Sequence, residues 1–331
     1  MRWLWITAIA LGAARGQAEP RSTDDRGEFW REVVEPHGAE VERLIEYTRH
    51  AMRIADERLQ AGAEWAVDQR MRYFRDSYGM MSYARTLSPQ RTEVLVLLGR
   101  AAEELGKTDE AIEAFEECVR IQGIAKASID ATSRLGLIRL RMGDRDAGIR
   151  WLRLAQGPLS AATAQPLVHL ANALADAGDT VTAIDTLVNA IPSQTQEFLP
   201  QEVTLLSFAL AVIYDRDEQR SAAFETLSRL QSTLSTSFYF SVHSALAAMT
   251  YTPAEDRYYY QALLYEAVGL YAEARAQWAL YAASGGTWRG RAFDHMHAID
   301  RERGELARHP RPTSSPPAPA PAPPVRLRRT P

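Results

Sequence analysis

The chain has 331 residues, 38 basic against 42 acidic, a net charge of −4 and a hydrophobic content of 46%. That apolar fraction suits a continuous helical core and excludes a wholly disordered chain, while the absence of a basic run in the central region argues against nucleic acid as a partner. The single cysteine, Cys118, rules out an internal disulfide and, on an apolar helix face, reads as a buried inert thiol.

Residues 1–18 read as a signal peptide. Arg2 supplies the positive start, Trp3 to Ala14 the apolar stretch, and Gly16-Gln17-Ala18 the small residues of a cleavage site. A spanning helix needs about 20 apolar residues, so a retained anchor is the weaker reading and no integral membrane span is expected after cleavage. An exported, periplasmic or envelope-associated location follows. Residues 19–38 form a polar extension in which Phe29, Trp30, Val33 and Val34 suit a short docking helix.

Residues 39–89 predict an N-terminal helical hairpin. Val41, Leu44, Ile45, Met52, Ala55 and Leu59 carry the helical spacing of its first arm; the second runs from about Asp68 to Leu87, and Pro89 closes it.

Residues 90–308 then repeat one pattern. Leu98-Gly99 leads to Gly106, Ala111, Phe115 and Cys118. Leu135-Gly136 leads to Gly143, Gly148 and Leu152, and Leu170-Ala171 to Gly178, Ala183 and Leu187. The turn glycines Gly106, Gly143 and Gly178 stand 37 and 35 residues apart. A fourth unit keeps Leu210-Ala211, Ala223 and Leu227 but has Glu218 at the turn. An extra helix is expected near 238–250. The last unit shows Ala262, Gly269, Ala274 and Trp278, and a capping helix with Trp288, Ala292, Met296 and Ile299 follows. From His309 to Pro331 proline, alanine and serine dominate without periodic apolar positions, which predicts a disordered tail.

The units from Thr92 to Ile191 and from Glu255 to Ala282 resemble tetratricopeptide repeats, whose period is about 34 residues. The resemblance implies an all-α, right-handed solenoid of antiparallel helix hairpins. It makes Gly99, Ala111, Gly136, Gly148, Ala183, Ala223 and Ala274 crossing positions, and Gly106, Gly143, Gly178 and Gly269 turns. It also implies a protein or peptide partner on a concave face lined by the first helices, here Glu93, Arg100, Asp130, Arg141, Asn172, Phe208 and Tyr259, with Asp176 on the same open face. Lysines that clamp a terminal carboxylate in some members are replaced by Val96 and Val168, so that mode is not supported.

No phosphate-binding glycine loop, zinc-protease helix or nucleophile elbow occurs, so no enzyme activity, cofactor or metal is expected. Asp294, His295, His297 and Asp300 read as solvated residues of the capping helix. His169 and His243, in apolar helices, read as satisfied core or interface histidines. A competing reading places a glycan or peptidoglycan, or an enzyme subunit's ligand, on the aromatic patch Tyr258 to Tyr260.

Overall fold

Every regular element among the described residues is helical. The computed structural model describes residues 36–59, 64–192 and 199–308. The signal segment, the extension up to residue 35 and the proline-rich tail lie outside them.

Two compact units divide the chain at Leu135 and Gly136. In the first, α1 (Gly38–Leu59) pairs with α2 (Glu64–Leu87), and α3 (Thr92–Glu104) with α4 (Thr108–Gln122). The division falls within α5 (Ile129–Arg141). The second unit contains α6 (Arg145–Leu154), α7 (Ala161–Asp176), α8 (Thr180–Ala190), α9 (Gln201–Arg216) and α10 (Arg220–Leu234). It continues through α11 (Phe238–Ala247), α12 (Asp256–Ala267), α13 (Tyr271–Ser284) and α14 (Arg289–Arg308).

Close helix approach explains the small residues. A Cβ on Gly99 would stand 2.7 Å from the Phe115 ring, and one on Gly136 2.6 Å from Leu152. Gly148 meets Leu140 at 2.5 Å in the same sense. Ala111, Ala183 and Ala274 are fully buried and Ala223 nearly so. A larger side chain at such a crossing costs about 1–3 kcal/mol in overpacking.

The turns share one hydrogen-bonding scheme. Gly106, Gly143, Gly178 and Gly269 have φ between 73° and 86°. Each turn is closed by a bond from the following N–H to the carbonyl five residues back: Lys107 to Ala102, Asp144 to Arg139, Asp179 to Leu174 and Leu270 to Tyr265, all 2.8–2.9 Å. The fourth hairpin makes the same bond, Gln219 to Tyr214, at 2.9 Å. Glu218 therefore adopts the glycine conformation at φ 60° without being glycine. Asp144 and Asp179 also cap the helices that follow, accepting from the N–H of Ala147 and Thr182.

The cores follow from this scheme. Val41, Ile45, Met52, Phe74, Met81 and Leu98 anchor the first unit. The second is centred on Leu170, Leu187, Phe208, Val212, Tyr259 and Trp278. Each buried side chain of this size contributes about 1.5–3 kcal/mol. Cys118 is buried as expected, and burial pushes its thiol up to about 11, so it stays protonated and unreactive near neutral pH.

Candidate functional site

The first helices behave differently in the two units. In α3, the stripe Glu93, Val96, Arg100, Glu103 and Glu104 is open or half-open along one face. Arg100 donates to Asp56 of α1, Arg91 to Glu42 of α1, and Arg134 of α5 to Glu103 at 2.7 Å. Arg134 also binds Asp130 at 3.0 Å, and Arg70 of α2 binds Glu104 at 2.5 Å. An ion-pair ladder thus links α1, α3 and the start of α5. Four of its acids stay wet, with Glu42, Glu93, Asp56 and Asp130 side chains 44–49% exposed, whereas Glu103 and Glu104 are largely covered at 12% and 24%. Of the residues expected to line a groove, Glu93, Arg100 and Asp130 sit here. Arg141 is exposed at the end of α5, in the second unit.

In the second unit the expected open face is closed. Asn172, Phe208 and Tyr259 are at most 1% exposed, so none can meet a partner. Two elements cover them. Helix α11 packs on α9 and α12 through Phe238, Val242, Ala245 and Leu246, and Gln165 of α7 ties down its end by donating to the Ala248 carbonyl at 2.8 Å. Helix α14 covers the rest. Trp288 Nε1 donates to Asp176 at 2.8 Å, so Asp176 is engaged and not the free surface carboxylate the repeat register implied.

Beneath this cover lies a buried polar network. Arg216 donates to Asn172 at 3.2 Å and to Asp256 at 2.7 Å, with its guanidinium 4.7 Å from the Tyr259 ring centre. Tyr260 donates to Asn172 at 3.0 Å and Tyr259 to Asp215 at 2.6 Å. Arg291 grips Asp215 through both its carboxylate (2.7 Å) and its backbone carbonyl (3.0 Å). His295 lies between Asp215 and Glu266, 3.0 and 2.9 Å away, stacked on Trp278 at 4.4 Å. Trp278 Nε1 donates to Glu266 at 3.0 Å.

The electrostatics follow from this packing. Burial opposes charge on His295, but its hydrogen bonds to Asp215 and Glu266 outweigh it and raise the imidazole to about 9. Burial likewise opposes ionisation of Asp215, yet His295, Tyr259 and Arg291 hold it at about 2. Asp256 goes the other way: burial pushes it up to about 6 despite Arg216, and its Oδ2 meets no partner.

Three histidine expectations, and the aromatic-patch reading, need correction. His295 is not a solvated residue but a bridge between two acidic side chains, because α14 docks on the face that carries it. His169 is buried but not satisfied: neither ring nitrogen meets a partner, and burial lowers its pKa to about 4. His243 is exposed, its ring stacked 5.5 Å from Tyr239. The aromatic patch fares no better as a glycan platform, since Tyr259 and Tyr260 are buried with their hydroxyls committed inside. Asp294 is bound by Arg291 and Asp300 by Arg275. No group of three or more His, Cys, Asp or Glu among the described residues could hold a metal ion.

The closed face had a sequence signal. Twelve of the sixteen residues in α7, and twelve of the sixteen in α9, are buried. Val168, Leu205, Phe208 and Val212 are apolar where a groove-lining helix would be polar, and apolar residues all around a helix indicate cover on all sides.

Residues 92–123 match the family model of the tetratricopeptide repeat, and that fold serves as a scaffold for protein–protein interaction. A comparison with curated proteins gave no match. Among solved structures, the chain is similar to MamA protein (19% identity, covering 58% of this chain and 94% of that one, TM-score 0.37). It is similar also to a putative kinesin light chain with nearly identical TPR-like repeats from Podosopora anserina (17%, 60% and 97%, TM-score 0.46). PilW, a type IV pilus biogenesis factor, is a third (14%, 74% and 98%, TM-score 0.43).

Proposed function

We propose that this chain, a tetratricopeptide-repeat protein, is a non-enzymatic scaffold of the cell envelope that holds a segment of a partner protein on the first-helix face of its first unit. One observation carries the choice of face. Of the groove positions, Glu93, Arg100 and Asp130 remain accessible beside one another's helices, whereas Asn172, Phe208 and Tyr259 are sealed in.

The chemistry of the ladder suits a partner segment carrying both signs of charge. Exposed ion pairs contribute about 0–1 kcal/mol each, so exchanging an internal pair for one with the partner costs little. Alternating charge then supplies register and selectivity more than raw affinity. The envelope assignment rests on the signal-like residues 1–18.

Crosslinking in the native cell, followed by partner identification, tests the reading. The double variant Glu93→Arg/Asp130→Arg should lose the crosslinked partner while melting near the wild-type temperature. Undiminished capture by that variant would remove this face from consideration.

A further inference from the structure

Helix α11 stands outside the repeating hairpin scheme. Phe238 and Val242 turn inward, where the helix packs on α9 and α12. That packing does not account for its outer face. Phe240 there is 73% exposed, and His243, one turn on, is exposed as well. Tyr239 ties the two into one surface. Its ring centre lies 5.5 Å from that of Phe240, edge to face, and 5.5 Å from that of His243, nearly parallel at 14°. Tyr265 of α12 extends the row, stacked 6.4 Å from Tyr239. Single exposed apolar residues need no explanation, but a contiguous patch of four rings does.

The surroundings of this patch are neutral and rich in hydroxyls. From Leu230 to Ala254 the chain holds no Asp, Glu, Lys or Arg, although such residues make up 24% of the whole. Ser237 and Ser244, both exposed, flank Phe240 three residues before and four after, on the same helical face. Other surface rings are screened by a cation of the chain: Lys107 lies 3.9 Å from the Tyr78 ring centre and Arg257 4.5 Å from that of Tyr258. Among the described residues no Arg or Lys covers the four rings in this way. Glu266, on the helix of Tyr265, is turned inward to Trp278 and His295. Burial, Tyr239 and then Glu273 raise the Tyr265 hydroxyl, so the charge felt there is an anion.

We propose that this surface binds a neutral oligosaccharide, with pyranose rings stacked on Phe240 and His243 and sugar hydroxyls bonded to Ser237 and Ser244. The axial C–H groups of a pyranose form an apolar, slightly positive face that suits the negative face of an aromatic ring. Nucleic acid also stacks on aromatic side chains, but it needs cations along its backbone, as does an anionic membrane surface. A patch with an anion beside it and no cation over its rings offers neither. The inference is independent of the scaffold reading, because it uses none of the residues of the first-unit face. It also uses none of the enclosed pair Tyr259 and Tyr260.

Titrating the full chain with cellohexaose, N-acetylchitohexaose and maltohexaose tests this, read by calorimetry and by saturation transfer from protein to sugar. At least one of them should bind. Phe240→Ala should weaken that binding about tenfold, with circular dichroism unchanged, because the side chain stands in solvent. Phe240→Trp, which keeps a stacking face, should retain it. Phe224→Ala removes an equally exposed ring from α10, 74% accessible, and should change nothing. The absence of binding by every one of these sugars at millimolar concentration would overturn the proposal, as would binding that survives Phe240→Ala. Tighter binding of an oligothymidylate than of any sugar would assign the rings to nucleobases and overturn it too. So would a dimer that Phe240→Ala dissociates in a chain that binds no sugar, since the patch would then belong to a second copy.

Discussion

Helices α3 and α9 open equivalent hairpins, yet one faces water and the other is enclosed. In α3 seven of thirteen residues are buried and the remaining stripe is charged. In α9 twelve of sixteen are buried, and the pair Asp215-Arg216 at its end enters the core. The hairpin scheme is the same in both, down to the closing bond of the turn. What differs is the material laid over the inner face: α11 and α14 cover the second unit's helices. A shared repeat pattern therefore fixes how helices cross and turn, and leaves open whether the inner face is a surface or an interior.

The largest test of that contrast compares two arginines. Arg216→Ala leaves Asp256 as an uncompensated buried acid, and breaking a buried pair in this way costs about 3–5 kcal/mol. Arg100→Ala removes a pair whose Asp56 partner is 44% exposed, and should cost no more than about 1 kcal/mol. Urea unfolding followed by circular dichroism separates them. Similar losses for both would mean that the first unit's ladder is as structural as the second unit's network.

His295 sharpens the same contrast through pH. Its folded pKa of about 9 lies above the usual 6.5, so its stabilising contribution is complete below about pH 6.5 and is lost as pH rises through 9. Asp215, depressed to about 2, contributes above about pH 4 and loses its effect only on acidification through 2. Between pH 7 and 9 the melting temperature should therefore fall in the wild type. In His295→Gln that slope should flatten, with the whole curve lower near pH 6. An equally steep decline in the variant would show that α14 is not held by this imidazole.

Crossing glycines come next. Gly148→Val places a branched side chain against Leu140 and the Gly136 carbonyl, and should cost about 1–3 kcal/mol by overpacking. Gly290, with nothing within 4 Å, should accept alanine without loss. A neutral Gly148→Val in thermal melts would show that the crossing relaxes freely.

These outcomes bear on what the sequence could disclose. The crossings and turns were legible because each depends on one local demand: no Cβ at a close approach, or φ above zero at a turn. Gly99, Gly136, Gly148 and the four turn glycines all meet that demand. The candidate site was legible only in part. Glu93, Arg100 and Asp130 lie on an accessible face, but Asn172, Phe208 and Tyr259 do not, because their exposure depends on where α11 and α14 fold back. That is a long-range property: Gln165 holds the end of α11, and Asp215 meets His295 eighty residues later. The buried pairs Arg216–Asp256 and Arg291–Asp215 left no spacing signal, since their partners lie on different helices.

Glu218 carries the smallest expected effect and the cleanest check on the repeat scheme. Four of the five equivalent turns use glycine at positive φ, and the fifth holds glutamate at 60° with the same closing bond. A non-glycine residue in this region pays about 1–2 kcal/mol for the contact between its Cβ and the carbonyl. Glycine would relieve that strain but would also gain freedom in the unfolded chain, which offsets part of the benefit. Glu218→Gly should therefore stabilise the second unit by somewhat less than the full strain, about 0.5–1 kcal/mol. Glu218→Asn, which tolerates the left-handed region, should fall between the two. If chemical denaturation instead found Glu218→Gly destabilising, the glutamate side chain itself would be holding the turn, and this hairpin would stand apart from the other four.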